Sequence, residues 1–217
     1  MFRDRKDAGR RLAEALSRYK DEPVVVYALP RGGVVLGVEV AHLLKAPLDL
    51  IVVRKIGHPL SPEYAIGAVA EDGYIVTNPD ETGSLDQQWL RNAALAEWKE
   101  AQRRRRVFLG DRRPVPVNGK TAIVVDDGLA TGLTMRAAIH EIRERNPRAI
   151  VVAVPVAAYD TAKEIRAQVD DLIVLHIPDG LFGAIGAFYL DFDQVSDEEV
   201  VALMERNAHQ TASSQEP

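Results

Sequence analysis

The chain has 217 residues, enough for one domain with an ample core or for one domain with a small appendage. A formal net charge of −5 argues against nucleic-acid binding by the whole surface, and the absence of cysteine excludes disulfides, thiolate metal sites and cysteine nucleophiles. No apolar run approaches the roughly 20 residues of a membrane span, and residues 1–7 lack the apolar core of a signal peptide. We therefore expect a cytoplasmic protein with no membrane partner.

The first half of the chain predicts helices alternating with short strands. Apolar residues at helical spacing predict a first helix over residues 4–19. A strand, a helix, a strand and a hairpin are predicted next, over residues 24–29, 34–44, 48–53 and 66–77. The hairpin prediction rests on Asp72-Gly73, a dipeptide that is typical of tight hairpin turns between apolar runs.

The second half continues this alternation after one interruption. Residues 85–109 predict a long helix on the edge of the domain, inside an insertion over about residues 78–112. Strands and helices then alternate over residues 121–125, 133–145, 149–156, 161–168 and 172–176. Ser196 is the expected N-cap of a final helix, with Glu199 as its capping-box partner, and residues 211–217 are expected to fray. The pattern predicts an α/β fold with a doubly wound, mainly parallel sheet in a single domain over residues 1–210.

Residues 122–134 carry the clearest chemical signal in the chain. An apolar, β-branched run ends in Asp126 and Asp127, and a Gly-x-x-Thr-Gly-x-Thr loop leads directly into the next predicted helix. Glycines let backbone N–H groups turn inward, Thr131 and Thr134 add hydroxyl donors, and the helix contributes the positive end of its dipole. The loop is thus suited to a phosphate, and the acidic pair to sugar hydroxyls or a metal ion beside it. Together they predict a sugar-phosphate ligand.

Two further polar loops follow predicted strands. Residues 30–33 (Pro-Arg-Gly-Gly) follow the first strand, and residues 54–57 (Arg-Lys-Ile-Gly) follow the second. In open α/β sheets, ligands bind at the carboxyl ends of the strands, so we expect these loops to converge on the phosphate loop. Their cations predict a second anionic group on the ligand.

Residues 123–134 resemble the motif that binds 5-phosphoribosyl-1-diphosphate (PRPP) in type I phosphoribosyltransferases. The motif consists of four apolar residues, which correspond to residues 122–125, then two acidic ones, a glycine or apolar residue, and a Thr-Gly-x-Thr ending. Over about residues 23–176 the chain is similar to uncharacterised members of that family. Residues 63–69 and the Tyr189-x-Asp-Phe192 segment also resemble local sequence patterns of those members. The resemblance implies the family's small hood, here over about residues 177–210, and a homodimer.

The resemblance also implies a role for each loop. The 5′-phosphate would be bound by Gly128, Leu129, Ala130, Thr131, Gly132 and Thr134. Asp126 and Asp127 would act catalytically on the ribose hydroxyls and hold Mg²⁺, directly or through water. The pyrophosphate would be bound by Arg31, Gly32 and Gly33, in a loop that in this family often contains a non-proline cis peptide. Arg54 and Lys55 would neutralise the leaving group, beneath a lid over residues 57–64.

The implied reaction is displacement of pyrophosphate from C1 of PRPP by a nitrogenous acceptor, expected to be a nucleobase. Ala130 occupies a position that is acidic in hypoxanthine–guanine enzymes, which argues against a 6-oxopurine acceptor. The acceptor pocket is expected in the hood or in the insertion, over residues 84–110. Asp179, Phe182 and Tyr189 in the hood are candidate acceptor contacts, although Phe182 and Tyr189 would equally suit packing within the hood.

Two alternatives to catalysis stay open. Some relatives have kept the PRPP fold as a nucleotide-responsive regulator that contacts nucleic acid, and others would bind a nucleotide without turnover. The net acidic chain speaks against nucleic acid as a partner. The four-arginine run Arg103–Arg106 covers every face of a helix, so we expect it to form a solvated or subunit-facing surface.

Overall fold

The computed structural model describes residues 1–179 and 183–213. Within these ranges the strands are β1 (Val24–Ala28), β2 (Leu48–Leu50), β3 (Val53–His58), β4 (Ser61–Ala70), β5 (Ile75–Thr77), β6 (Thr121–Val125), β7 (Ala149–Val156) and β8 (Asp171–His176). The α-helices are α1 (Arg5–Ala15), α2 (Gly32–Leu44), α3 (Pro79–Thr82), α4 (Gln87–Leu109), α5 (Leu133–Glu144), α6 (Tyr159–Arg166) and α7 (Asp197–Ser213). Short 3-10 turns lie at Ser17–Tyr19 and Ile185–Phe188.

The main sheet has five strands in the order β2-β1-β6-β7-β8, and all of its neighbouring strands are parallel. Every residue of β1 and β6 is buried, as expected for parallel strands that are covered on both faces. Alternate residues of β1 point into two separate cores. One core lies under α1, α2 and α7, and the other under α5 and α6. The predicted doubly wound, mainly parallel α/β fold is confirmed.

The structure differs from the prediction of a single strand over residues 48–53, because this segment is divided between two sheets. β2 ends at Leu50, and Val53 begins β3, which pairs with β4 and not with the main sheet. The reason is that β2 is an edge strand, so the chain can leave the sheet while Ile51 and Val52 stay buried against the core. β3, β4 and β5 form an antiparallel sheet, and the predicted hairpin at Asp72-Gly73 is present between β4 and β5. The predicted lid segment forms the tip of the β3–β4 hairpin.

The predicted long helix is present as α4, which begins with an Asp86 side chain accepting the Trp89 N–H. Its apolar side packs on the second sheet, where Ala94, Leu90 and Trp98 contact a small core formed by β3 and β4. The Trp98 indole N–H also donates to the Glu71 carbonyl at 3.1 Å.

The expectation of a solvated or subunit-facing arginine run is wrong for Arg105. Its guanidinium points into the fold, donates to the Leu50 carbonyl at 2.9 Å and pairs with Glu71 at 3.0 Å. Asp49 and Glu71 are buried carboxylates that need a nearby positive charge, and α4 supplies it from this face. Arg103, by contrast, is exposed and pairs with Glu100 on its own helix.

The last helix begins as predicted, because the Glu199 N–H donates to the Ser196 hydroxyl at 3.1 Å. α7 continues to Ser213, three residues into the segment that was expected to fray. Among the helices in the described ranges, none is long and apolar enough to cross a membrane.

Candidate functional site

The three predicted segments meet at one cavity of about 750 Å³ at the carboxyl edge of the main sheet. Residues 54–57, which were predicted as a loop, lie within β3. Parallel strands β1 and β6 are neighbours in the sheet, so the loops that follow them emerge side by side. The first residues of β3 bring Arg54 and Lys55 to the same cavity. The predicted site residues that line the cavity are Arg31, Gly32, Arg54, Lys55, residues 126–132 and Thr134.

The loop between β6 and α5 is anchored from below. The Leu129 N–H donates to the Val156 carbonyl at 2.9 Å, and the Thr161 hydroxyl donates to the Ala130 carbonyl at 2.6 Å. Gly132 has φ of +75°, a left-handed conformation that favours glycine, and it turns the chain into α5. No side chain of the described residues caps this end of α5, so its first N–H groups face the cavity side without an intrahelical acceptor. The loop can therefore hold an anion.

The acidic pair sits at the mouth of this loop. The Asp126 carboxylate accepts the Asp127 N–H at 2.8 Å. Burial and the adjacent Asp127 charge raise the pKa of Asp126 well above its usual range, whereas the Asp127 N–H and the nearby Lys55 and Arg5 act in the opposite direction. The pair is thus a negatively charged group in a partly desolvated position, suited to polyol hydroxyls or a cation.

Two residues outside the phosphate loop hold Asp127 in place: Arg5, which the sequence did not single out, and Tyr189, for which it predicted a different role. Arg5, from α1, donates from Nε to the Asp127 carboxylate at 2.8 Å, and the Tyr189 hydroxyl donates to the Asp127 carbonyl at 2.6 Å. Desolvation raises the pKa of Tyr189, so its hydroxyl keeps the proton it donates. Arg5 is 122 positions from Asp127, so no local pattern could have found it.

The predicted cations line the same cavity as the acidic pair. Arg31 pairs with Asp197 of α7 at 3.3 Å, and Arg54 pairs with Glu97 of α4 at 2.8 Å. Lys55 is exposed and makes no ion pair with the residues that the structure describes. The peptide bond between Pro30 and Arg31 is cis, as the resemblance implied for this loop.

Gly33 does not line the cavity. A Cβ atom at this position would lie 2.8 Å from the Val125 carbonyl oxygen, so glycine lets α2 start against the end of β6. Gly33 therefore supports the loop from behind.

Helix α4 and the β3–β4 hairpin form the far wall of the cavity. Helix α4 was predicted to pack on the domain's edge, and one of its faces lines the site. The lining residues of α4 recur at helical spacing and are Trp89, Ala93, Ala96, Glu97 and Arg104. The spacing of these residues was visible in the sequence, but what the face contacts was not. The hairpin contributes His58, Pro59, Pro62 and Glu63.

Two of the hood residues predicted as acceptor contacts, Asp179 and Tyr189, do not line this cavity. Tyr189 is 6% exposed and packs against Phe2 and Phe192, so it has little ring surface for a base. Its assignment as an acceptor contact is corrected to a support for Asp127. Asp179 is exposed beyond the end of β8, and Phe182 lies outside the described residues. Among the hood residues that the structure describes, Ile185 reaches the cavity, next to Gly128.

The site contains hard oxygen ligands for a metal at Asp126 and Asp127. The described residues contain no group of three or more His, Cys, Asp and Glu side chains that could hold a metal ion. Two carboxylates without a full protein cage fit Mg²⁺, which keeps several waters and binds through substrate phosphates.

Residues 3–193 match the family whose description is "Phosphoribosyl transferase domain". The chain belongs to this family. The crystal structure of TT1426 from Thermus thermophilus is similar to this phosphoribosyltransferase-family chain, with 41% identity, a TM-score of 0.78, and coverage of 95% of this chain and 98% of that one.

Curated relatives agree with the family assignment. A Mycobacterium tuberculosis protein named "Putative phosphoribosyl transferase" is 42% identical over 208 residues, which is 95% of this chain and 47% of the relative. The present phosphoribosyltransferase-family chain thus spans about half the length of that relative. "Bifunctional protein PyrR" of Leifsonia xyli subsp. xyli is 32% identical over 96 residues, or 44% of this chain and 49% of the relative.

Proposed function

We propose that this chain is a PRPP-dependent phosphoribosyltransferase that transfers the phosphoribosyl group to a nitrogenous acceptor, a nucleobase. The observation that supports this most is the convergence of an anion-binding loop, an acidic pair and three cations on one cavity in a member of this family. One ligand that carries a phosphate, a polyol and a second, strongly anionic group would satisfy all three.

In the reaction, a nitrogen lone pair of the acceptor forms a bond to C1 while the bond from C1 to the pyrophosphate oxygen breaks. Pyrophosphate leaves with the electron pair, and the acceptor's N–H proton passes to solvent. Positive charge develops on the ribose in the transition state, where Asp126 and Asp127 stabilise it and bind the 2′- and 3′-hydroxyls. Residues 128–134 hold the 5′-phosphate.

The leaving group needs positive charge on the opposite side of the ribose. Lys55 is free to supply it, and Arg31 and Arg54 can exchange their carboxylate partners for pyrophosphate oxygens. Mg²⁺ held at Asp126 and Asp127 would supply further charge neutralisation on the pyrophosphate. Catalysis then rests on positioning and electrostatics, and no side chain is required as a proton shuttle.

A regulator that binds PRPP or a nucleotide without turnover is the alternative. The basic run gives little support to nucleic acid as its partner, since Arg104 pairs with Glu100 and Arg105 points into the fold. Only Arg103 and Arg106 of the run are exposed, which is a small basic footprint.

The test is pyrophosphate release from Mg²⁺–PRPP across a panel of purine and pyrimidine bases. The double variant Asp126→Asn with Asp127→Asn should lower release by at least about a hundredfold, because it removes the charge that faces the transition state. Asp111→Asn changes an exposed carboxylate that does not line the cavity; it is the matched control and should behave as wild type.

Release with one base, lost only in the double variant, would establish the activity and name the acceptor. Release that survives in the double variant would refute the site assignment. PRPP binding without release for any base would favour the regulator.

A further inference from the structure

Arg5 is the first residue of α1, and its side chain joins three parts of the fold behind the acidic pair. Its Nε donates to the Asp127 carboxylate at 2.8 Å, and its Nη1 donates to the Asp193 carbonyl at 2.6 Å. The guanidinium lies over the Phe192 ring, 3.7 Å from the centroid. The ion pair is largely removed from water, with side-chain exposures of 12% for Arg5 and 15% for Asp127.

These contacts fix both the direction and the charge environment of Asp127. A guanidinium that is stacked on one face and bonded at two nitrogens has little freedom to move. The carboxylate it holds lies close to Gly32, where a Cβ atom would be only 1.9 Å from Asp127 Oδ2. Tyr189 fixes the backbone of the same residue, so Asp127 is held at its main chain and at its side chain.

We propose that Arg5 is a positioning residue for the ribose subsite: it keeps the Asp127 carboxylate aimed at the sugar hydroxyls while it offsets repulsion from Asp126. This role rests on the proposed function, because it assigns the ribose of PRPP to Asp127. Arg5 does not line the cavity, so it acts through Asp127 and not on the ligand itself.

A positioning role for Arg5 predicts a selective loss of ligand binding, whereas a general loss of stability would weaken the binding of every ligand. Without Arg5, ligands with a ribose should bind less tightly, whereas inorganic pyrophosphate, which would contact Arg31 and Lys55, should not be affected. Because Asp127 would contact the ribose in the ground state as well as in the transition state, KM for PRPP should rise more than kcat falls.

The experiment is calorimetric binding of Mg²⁺–PRPP, ribose 5-phosphate and pyrophosphate to the full chain and its variants. Arg5→Gln should weaken binding of PRPP and ribose 5-phosphate about tenfold or more, since a charge-assisted hydrogen bond that orients the carboxylate is lost. Arg5→Lys should recover part of the loss, because it keeps the charge but not the fork of donors. Arg10→Gln removes an exposed arginine from the same helix and is the matched control.

A second variant keeps the test valid if Arg5→Gln does not fold. Phe192→Leu removes the aromatic face beneath the guanidinium and leaves the ion pair, so it should cause a smaller loss with the same selectivity. Equal binding of ribose 5-phosphate by wild type, Arg5→Gln and Phe192→Leu would overturn the role of Arg5 alone, as would equal weakening of all three ligands. A wild-type protein that does not bind Mg²⁺–PRPP would instead overturn the proposed function.

Discussion

Gly32 is the residue at which the loop after β1 meets the acidic pair. A Cβ atom here would lie 1.9 Å from Asp127 Oδ2 and 2.8 Å from Arg5 Nε, distances at which something must move. Because the Asp127 side chain is held by Arg5 and its carbonyl by Tyr189, it cannot retreat without breaking these contacts. Glycine at this position is a requirement of the site and not of the helix that it begins.

Gly32→Ala should therefore weaken Mg²⁺–PRPP binding about tenfold or more while α2 stays intact, since alanine is itself a better helix former. Binding can be followed by calorimetry and helix content by circular dichroism. Gly183→Ala is the control, because a Cβ atom at Gly183 would meet nothing within 4 Å. Unchanged PRPP affinity in Gly32→Ala would show that Asp127 does not need its observed position.

The residues of the phosphate loop could be predicted from the sequence because their chemistry is local. Asp126, Asp127 and the Thr-Gly-x-Thr ending lie within nine consecutive residues, so spacing alone indicates a shared anion. Arg5 and Tyr189 reach the same acidic residue from opposite ends of the chain. Arg5 carries no distinguishing local pattern, and the pattern around Tyr189 resembles the family but does not indicate a contact with Asp127, because only the tertiary fold brings these residues together.

At the scale of elements, α4 shows what periodicity predicts and what it leaves open. Spacing predicted both the helix and its apolar face, and the family resemblance made the insertion a candidate for the acceptor pocket. Neither indicated that Arg105 would pair with buried carboxylates. Likewise, the apolar run over residues 48–53 predicted one strand, although the chain changes sheets between β2 and β3. Ile51 and Val52 are buried at this point, so an apolar sequence does not reveal the change.

Neighbouring arginines on α4 provide a matched pair of variants. Arg105→Met should lower the free energy of unfolding by about 3 kcal/mol, because it leaves the buried carboxylate of Asp49 without its cation and deprives Glu71 of one of its two. Arg103→Met removes an exposed surface pair and should leave the free energy of unfolding close to that of wild type. Urea unfolding of the two variants measures the difference. Equal effects would mean that Arg105 does not stabilise the buried carboxylates.

At the scale of the whole molecule, the first residues of the chain form backbone hydrogen bonds with the hood. The Phe2 N–H donates to the Phe188 carbonyl at 2.8 Å, and the Leu190 N–H donates to the Phe2 carbonyl at 2.9 Å. These bonds bring the first residues alongside the hood and place Arg5 behind the acidic loop. The main sheet followed from the order of strands and helices, whereas these contacts did not, because the paired segments share no periodicity or motif.

Asp49, Glu71, Arg105, Glu141 and Arg145 form a largely buried ionic cluster, and it predicts how the stability of the protein depends on pH. Burial, together with the nearby charge of Glu71, raises the pKa of Glu141 from 4.5 to about 8, and the adjacent Arg145 only partly offsets this. Between about pH 4.5 and pH 8, the folded protein therefore keeps a proton on Glu141 that the unfolded chain has already released. Since the folded state binds more protons in this window, the free energy of unfolding should fall as pH rises through it.

Glu141→Gln should flatten that slope, because glutamine is neutral at every pH and its amide oxygen can still accept from Arg145. At pH 8 the variant should be at least as stable as wild type, and its relative advantage should shrink as the pH falls towards 5. Urea unfolding at several pH values measures this. Glu144→Gln, an exposed change on the same helix, should leave the slope as it is in wild type. A wild-type slope that persists in Glu141→Gln would show that the pH dependence arises from other groups.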